Sequence, residues 1–142
     1  MARHETAARS FGVELRADAE ESWVVGDADR LLQVESNLVE NALRETPSGG
    51  SVTVSARAAT LAVADTGPGI PPEDVERAFE RFYLYDKFGK DRPVGSGLGL
   101  YICRQIVTGH QGTISVRNAP DGGAEFTVEL PAAAAPLQHV DA

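Results

Sequence analysis

Apolar residues along this chain recur with two periods, and each switch of period marks a change of element. Leu31, Val34, Leu38 and Ala42 fall three or four apart, the stripe of one helix face, and predict a helix running to about Glu45. Asp27 or Asp29 stands where its first turn needs a cap. Thr46-Pro47-Ser48-Gly49-Gly50 stops it, since a proline–glycine cluster cannot continue helical hydrogen bonding. From residue 51 the period falls to two. Val52 and Val54 alternate with Thr53 and Ser55, and an apolar run over 61–65 follows a short turn around 58–60, so the pattern predicts a strand pair. Two shorter strands are expected upstream, at 13–16 and 23–26, on either side of an acidic turn at 18–21. Downstream come a glycine–proline loop at 65–72 and a short helix at 73–82, with Glu73 and Asp74 at its positive end. A polar loop over 84–94 leads into a helix at 96–110. A hairpin of strands 113–118 and 125–130 closes the pattern across Ala119-Pro120-Asp121-Gly122-Gly123.

The order β-β-α-β-β-α-α-β-β does not alternate as a wholly parallel protein would. It predicts an α+β fold, a two-layer sandwich with a mixed, mostly antiparallel sheet covered on one face by helices. The folded domain is expected over 11–131. Residues 1–10 read as a polar, alanine-rich connection from something upstream, and 132–142 as a frayed tail.

Composition narrows the function classes. The formal charge is −8, from 21 acidic and 13 basic residues. Such a surface repels a phosphate backbone, so nucleic-acid binding is not expected, and a bound nucleotide would need local positive potential or backbone amides. No apolar run is long enough to span a bilayer, so no membrane contact is expected of this domain. Cys103 is the single cysteine and has no partner for an internal disulfide, which fits a reducing compartment.

Three segments could carry chemistry. Asp65-Thr66-Gly67-Pro68-Gly69-Ile70 follows directly on an apolar strand. A carboxylate at a strand end is placed to accept a hydrogen bond from an exocyclic amine such as that of adenine. The two glycines let the backbone pass close to a flat ring, though the same residues also make an ordinary turn. Gly95-Ser96-Gly97-Leu98-Gly99-Leu100 opens a helix, whose free first-turn amides form an anion site. It is neither a Walker A loop nor a dinucleotide fingerprint, and close packing through small residues is the competing explanation. On the long helix, Asn37, Asn41, Arg44 and Glu45 fall near one polar face. An Asn carbonyl is a hard oxygen donor suited to Mg²⁺, while a plain solvated face is the blander reading.

Together, the order and spacing of these segments resemble the ATP-binding catalytic domain of bacterial sensor histidine kinases, in the superfamily that includes gyrase and MutL (the Bergerat fold). Residues 37–47 look like its N box, 65–70 like its G1 box, 79–82 like its F box and 95–100 like its G2 box. Asp27, Asp29, Arg30 and Leu31, and the close at 126–131, are also in keeping. The resemblance implies that ATP and Mg²⁺ bind here. Asn41 would be the Mg²⁺ ligand and, with Arg44 on the phosphates, the catalytic pair, with Asn37 beside them. Asp65 would hold the adenine amino group, with Gly67, Gly69 and Ile70 shaping the adenine pocket. Gly95, Ser96, Gly97, Leu98, Gly99 and Leu100 would line the triphosphate side. Residues 84–94 correspond to the ATP lid, where Lys87, Lys90 and Arg92 are candidate phosphate contacts. The position after Arg44 is often aromatic in these kinases. Here it is Glu45, which cannot stack, so Tyr83, Tyr85 or Tyr101 is a candidate substitute.

Related hydrolases carry a glutamate four residues before the metal Asn, where it activates water. Here that position is Asn37, an amide that cannot accept a proton, which points away from self-contained hydrolysis. The resemblance instead implies a phosphoacceptor histidine on a separate helical-hairpin dimerisation domain and, beyond it, a response regulator. His4 precedes Glu5 as an acceptor would, yet leaves no room for that hairpin before the first strand. His4, His110 and His139 therefore read as structural or incidental. The expectation is a monomeric, cytoplasmic nucleotide-binding part that does not autophosphorylate by itself. Two other readings stay open. One is a sigma-factor-binding serine kinase, disfavoured by Asn37. The other is a non-catalytic nucleotide-binding module, favoured by Glu45 and opposed by Asn41, Asp65 and the motif glycines.

Overall fold

A computed structural model of the chain describes residues 2–81 and 98–133. Its longest element is helix α2 (Ala28–Glu45), and Asp27 fixes the start: its Oδ1 accepts the Arg30 backbone N–H at 3.1 Å. At the other end Thr46 leaves helical geometry, and its hydroxyl donates back to the Ala42 carbonyl at 2.7 Å. The sheet beneath contains β1 (Glu14–Ala19), β2 (Ser51–Arg57), β3 (Thr60–Asp65), β4 (Thr113–Asn118) and β5 (Ala124–Glu129), in the order β1-β2-β3-β5-β4. Only β1 and β2 run parallel; the other pairs are antiparallel. Helix α3 (Gly99–Gly109) lies beside α2 on the same face. The expected two-layer α+β fold with a mixed sheet is therefore what this chain adopts.

Strand periodicity decides what faces the helices. Val52 and Val54 of β2, Val63 and Asp65 of β3, and Ala124, Phe126 and Val128 of β5 are the buried alternate positions. They meet Val34, Leu38, Val39, Ala42 and Leu43 of α2, with Cys103, Ile106 and Val107 of α3. One carboxylate thus stands on the buried face, at the last position of β3.

The outcome departs from the pattern in four places. Residues 23–26, expected as a strand, are irregular, and the Trp23 carbonyl instead accepts the Ala133 N–H at 2.8 Å. The acidic run at 18–21 is not a separate turn, because β1 continues to Ala19 in register with Ala56. This is an edge strand, so its acids stay in water, with Asp18 and Glu20 each 3.7 Å from Arg57. The segment read as a connection contains helix α1 (Ala2–Phe11), which packs on α2 and buries Ala8 and His4. The expected helix at 73–82 is a single 3₁₀ segment, Pro72–Arg77, followed by turns. Its i→i+3 bonds suit a short start on Pro72, which has no N–H to donate.

Candidate functional site

Three separate segments converge at one end of the sheet. Asn41 and Glu45 from the last turns of α2, Asp65, Gly69 and Ile70 from the end of β3 and its loop, and Leu100 from the first turn of α3 line a single pocket. Ala124 and Phe126 of β5 complete it. Asn41, Asp65, Gly69, Ile70 and Leu100 were all singled out from the sequence. Ala124 and Phe126 were not, since nothing in a hairpin strand's alternation says which of its buried residues ends in a pocket.

Asp65 is 5% exposed. Its Oδ1 accepts the Gly67 N–H at 2.8 Å and the Ala124 N–H at 3.2 Å, while Oδ2 accepts no bond among the described residues. Burial raises its carboxyl above the ordinary value, opposed by these two backbone bonds. The result is a carboxylate held rigidly by one oxygen with the other available to a donor. Around it the lining is apolar: Ile70, Leu100 and Phe126. The Phe126 ring meets Phe79 edge to face, with centroids 5.9 Å apart. Among the described residues, the pocket's aromatic side chain therefore comes from β5, and Tyr101 is not part of the lining.

The glycines here are needed for space. A Cβ on Gly67 would strike the Glu45 carbonyl oxygen, at the point where the loop passes the end of α2. Gly69 has φ +80°, and a Cβ there would lie 2.6 Å from Asn118 Oδ1. Gly99 differs, because among the described residues a Cβ on it would meet nothing within 4 Å. Leu98, just before it, supplies no side-chain cap to the α3 amides that follow.

Asn118, at the end of β4, was missed. Its Oδ1 accepts the Ile70 N–H at 2.8 Å and its Nδ2 donates to the Ile70 carbonyl at 2.6 Å, across 48 residues of sequence. The only local signal was an Asn beside a turn, which ordinary turn chemistry already explains.

Two N-box residues do not line this pocket. Asn37 is half-buried beside Cys103, whose Sγ donates to the Val34 carbonyl at 3.8 Å and whose thiol burial pushes up to about 12, with Asn37 acting the other way. Arg44 is half-buried in the last turn of α2 and does not line the pocket. Tyr83, Lys87, Lys90, Arg92, Gly95, Ser96 and Gly97, with the lid at 84–94, fall outside the described residues. His110 ties two helices together. Its Nδ1 lies 2.8 Å from the Ile106 carbonyl and its Nε2 accepts the Asp27 N–H at 3.0 Å, the pattern of the neutral Nδ1–H tautomer. His4 is 4% exposed.

A larger cleft of about 400 Å³ lies at the far end of the sheet, between the start of α2 and the β2–β3 turn. Val24, Leu31, Leu32, Leu61, Val128 and Leu130 line it, and Glu35 is its only charged residue among those described. It lacks the converging polar groups of the smaller pocket.

Comparison with known proteins places this arrangement. Residues 26–134 match the family described as histidine kinase-, DNA gyrase B-, and HSP90-like ATPase. The sensor-like histidine kinase SenX3 of Mycobacterium tuberculosis is 42% identical over 137 residues, covering 93% of this chain and 33% of that protein. The chain thus spans about a third of the length of such relatives. Among solved structures, the mycobacterial sensor histidine kinase MprB matches with a TM-score of 0.76 and 32% identity, over 90% of this chain and 88% of that one. Full-length ShkA in complex with AMPPNP matches at 0.80 and 31%, over 94% of this chain and 28% of that one.

Proposed function

Because the chain belongs to the histidine kinase-, DNA gyrase B- and HSP90-like ATPase family, in its sensor histidine kinase branch, we propose that this pocket binds Mg-ATP and presents the γ-phosphate to a histidine on a separate dimerisation domain. The observation that carries the reading is the convergence of Asn41, Asp65 and Leu100, from three segments, on one partly apolar pocket with a buried, half-satisfied carboxylate. Support also comes from ShkA, whose structure holds a nucleotide analogue.

The residues present fit such a ligand. Asp65 Oδ2 accepts from the exocyclic amine of adenine, while Gly67 and Gly69 keep the loop free of side chains and Ile70, Leu100 and Phe126 offer apolar surface to the base. The Asn41 carbonyl is the protein's ligand for Mg²⁺, and phosphate oxygens and water supply the rest. Among the described residues no three His, Cys, Asp or Glu side chains gather to hold a metal. First-turn amides of α3 and the lid cations Lys87, Lys90 and Arg92 stabilise charge on the triphosphate. In the transfer, a histidine nitrogen forms a bond to the γ-phosphorus as the bond to the bridging oxygen breaks, and ADP leaves. Asn37 stands where a hydrolase would carry its general base and, being an amide, takes no proton from water. That favours transfer over hydrolysis. The partner after the histidine domain is a response regulator, and the setting is cytoplasmic. No helix among the described residues is long and apolar enough to cross a membrane.

Calorimetry with a non-hydrolysable Mg-ATP analogue tests the reading. Binding is expected, weakened without Mg²⁺ and by Asn41→Ala. No binding at millimolar nucleotide overturns it. Mixed with the histidine hairpin of its own kinase and ATP, the chain should yield acid-labile phosphate. Label on a serine of a protein partner would instead favour the serine-kinase alternative.

A further inference from the structure

β4 and β5 end their ladder on the pair Asn118 and Ala124. Both members of that last pair reach across to the loop that follows β3. The Ala124 N–H is the second donor to Asp65 Oδ1, at 3.2 Å. The Asn118 side chain makes both of its bonds to the Ile70 backbone, N–H to Oδ1 and Nδ2 to carbonyl. An amide facing a peptide in this way forms the two-bond ring of a hydrogen-bonded antiparallel residue pair, with a side chain standing in for a strand. Only a side chain carrying a donor and an acceptor in one planar fork can do this, which means Asn or Gln. The loop is thereby pinned at Asp65 and at Ile70, five residues apart, by one hairpin end.

The same contact accounts for Gly69. Its missing Cβ would sit 2.6 Å from Asn118 Oδ1 and 3.3 Å from the Gly123 carbonyl oxygen, so any side chain there would push the amide off Ile70. The pocket residues Ile70 and Gly69 are thus positioned by a residue that does not line the pocket.

We infer that Asn118 is a positioning residue for base recognition: its amide clamp on Ile70 holds the glycine loop so that Asp65 and Ile70 meet adenine together. This deepens the nucleotide reading above and rests on it. The clamp acts on the base end of the pocket only, so its loss is felt through the base and not through the phosphates.

The test compares three ligands on the unaltered chain and on Asn118→Ala: a non-hydrolysable Mg-ATP analogue, the matching inosine analogue, which lacks the amino group, and inorganic tripolyphosphate with Mg²⁺. Asn118→Ala should weaken the adenine analogue roughly tenfold, shrink its preference over the inosine analogue, and leave tripolyphosphate within about twofold. Asn118→Asp, which keeps the acceptor but sets a carboxylate against the Ile70 carbonyl, should do no better than alanine. Asn118→Gln, which keeps the fork, should recover part of the preference. Gly69→Ala should cost less in the Asn118→Ala background than alone, because the amide it would displace is gone. If all three affinities fall together, or adenine preference is unchanged, the inference is overturned. Should Asn118→Ala fail to fold, Asn118→Ser carries the same comparison. Hydrogen exchange at the Ile70 amide reports the clamp without ligand and should quicken at least tenfold in Asn118→Ala. An unaltered chain that binds no adenine analogue defeats the nucleotide reading, whereas unchanged Ile70 exchange in the variant defeats the clamp.

Discussion

The two ends of the sheet solve the same backbone problem differently. At the pocket end, among the described residues, the left-handed positions are all glycine: Gly12, Gly49, Gly69, Gly122 and Gly123. At the far end they are Ala58 and Ala59 in the β2–β3 turn and Gln111 before β4. Left-handed geometry demands glycine at some of these positions and not at others: among the described residues Gly49 and Gly122 meet nothing within 4 Å and stand there for their φ alone, whereas Ala58 and Ala59 adopt such a φ at a cost of about 1–2 kcal/mol per residue. At the pocket end a left-handed φ and crowding fall on the same glycines. A Cβ on Gly12, Gly69 or Gly123 would strike a neighbour, and Gly67, with no unusual φ, is crowded too. The far end has the larger cleft, and the near end has the polar groups in fixed places. Volume alone does not make a site.

The sharpest break in this contrast comes from Gly123→Ala. Its Cβ would fall onto the Asp65 carbonyl oxygen at φ +86°, so strain and collision add. A stability loss of about 3 kcal/mol or more is expected in urea denaturation, together with loss of nucleotide binding. Next in size is Asp65→Asn, which keeps an acceptor for Gly67 and Ala124 but replaces the free carboxylate oxygen. Affinity for the ATP analogue should fall about 100-fold by calorimetry, while stability at pH 7 holds or rises slightly.

The sign of that stability change follows from the raised carboxyl. Below its ordinary value of 3.8 the group is protonated folded and unfolded alike. As pH rises through the raised folded value, the unfolded chain gives up its proton more easily, and the stability contributed by neutral Asp65 is lost. Unfolding titrations should show this loss in the wild type and not in Asp65→Asn. Nucleotide affinity should move the other way, rising with pH as the carboxylate forms.

At the far end, Leu61→Ala should cost about 1–2 kcal/mol of stability, as expected of a partly buried leucine, and leave analogue affinity within twofold. A larger effect on binding would mean that the two ends are coupled. Smallest is Ala58→Gly, at an exposed residue with φ +50°. Relief of strain should raise stability by roughly 0.5–1 kcal/mol, visible as a higher Tm, with binding untouched.

Local signals in the sequence reached most of this. Period and caps located α2 almost to the residue, because Asp27 and the Pro47–Gly50 cluster act on their own neighbours. The β2–β3 and β4–β5 hairpins were equally legible, and so were Asp65, Asn41 and Leu100 as members of one site. What escaped was decided across distance. β1 runs through an acidic stretch because a parallel partner holds it there. Residues 23–26 have strand composition, yet the Trp23 carbonyl is taken by the Ala133 N–H outside the sheet. Asn118 looks like any turn asparagine until Ile70 arrives, and Phe126 supplies an aromatic wall that the residue after Arg44 does not. Asn37 and Arg44 fell on the expected helix face, yet neither lines the pocket.

The order of strands also has a mechanical meaning. The chain enters β1 opposite Ser51, at the pocket end, and leaves β5 opposite Thr60, at the far end. A tug between those two points runs along the strands, so the ladders joining β1, β2, β3 and β5 bear it in shear, all rungs at once. Unzipping would need a pull across them. The sheet is thus a plate that is stiff along the line of its own chain, able to carry load past the pocket without prying it open.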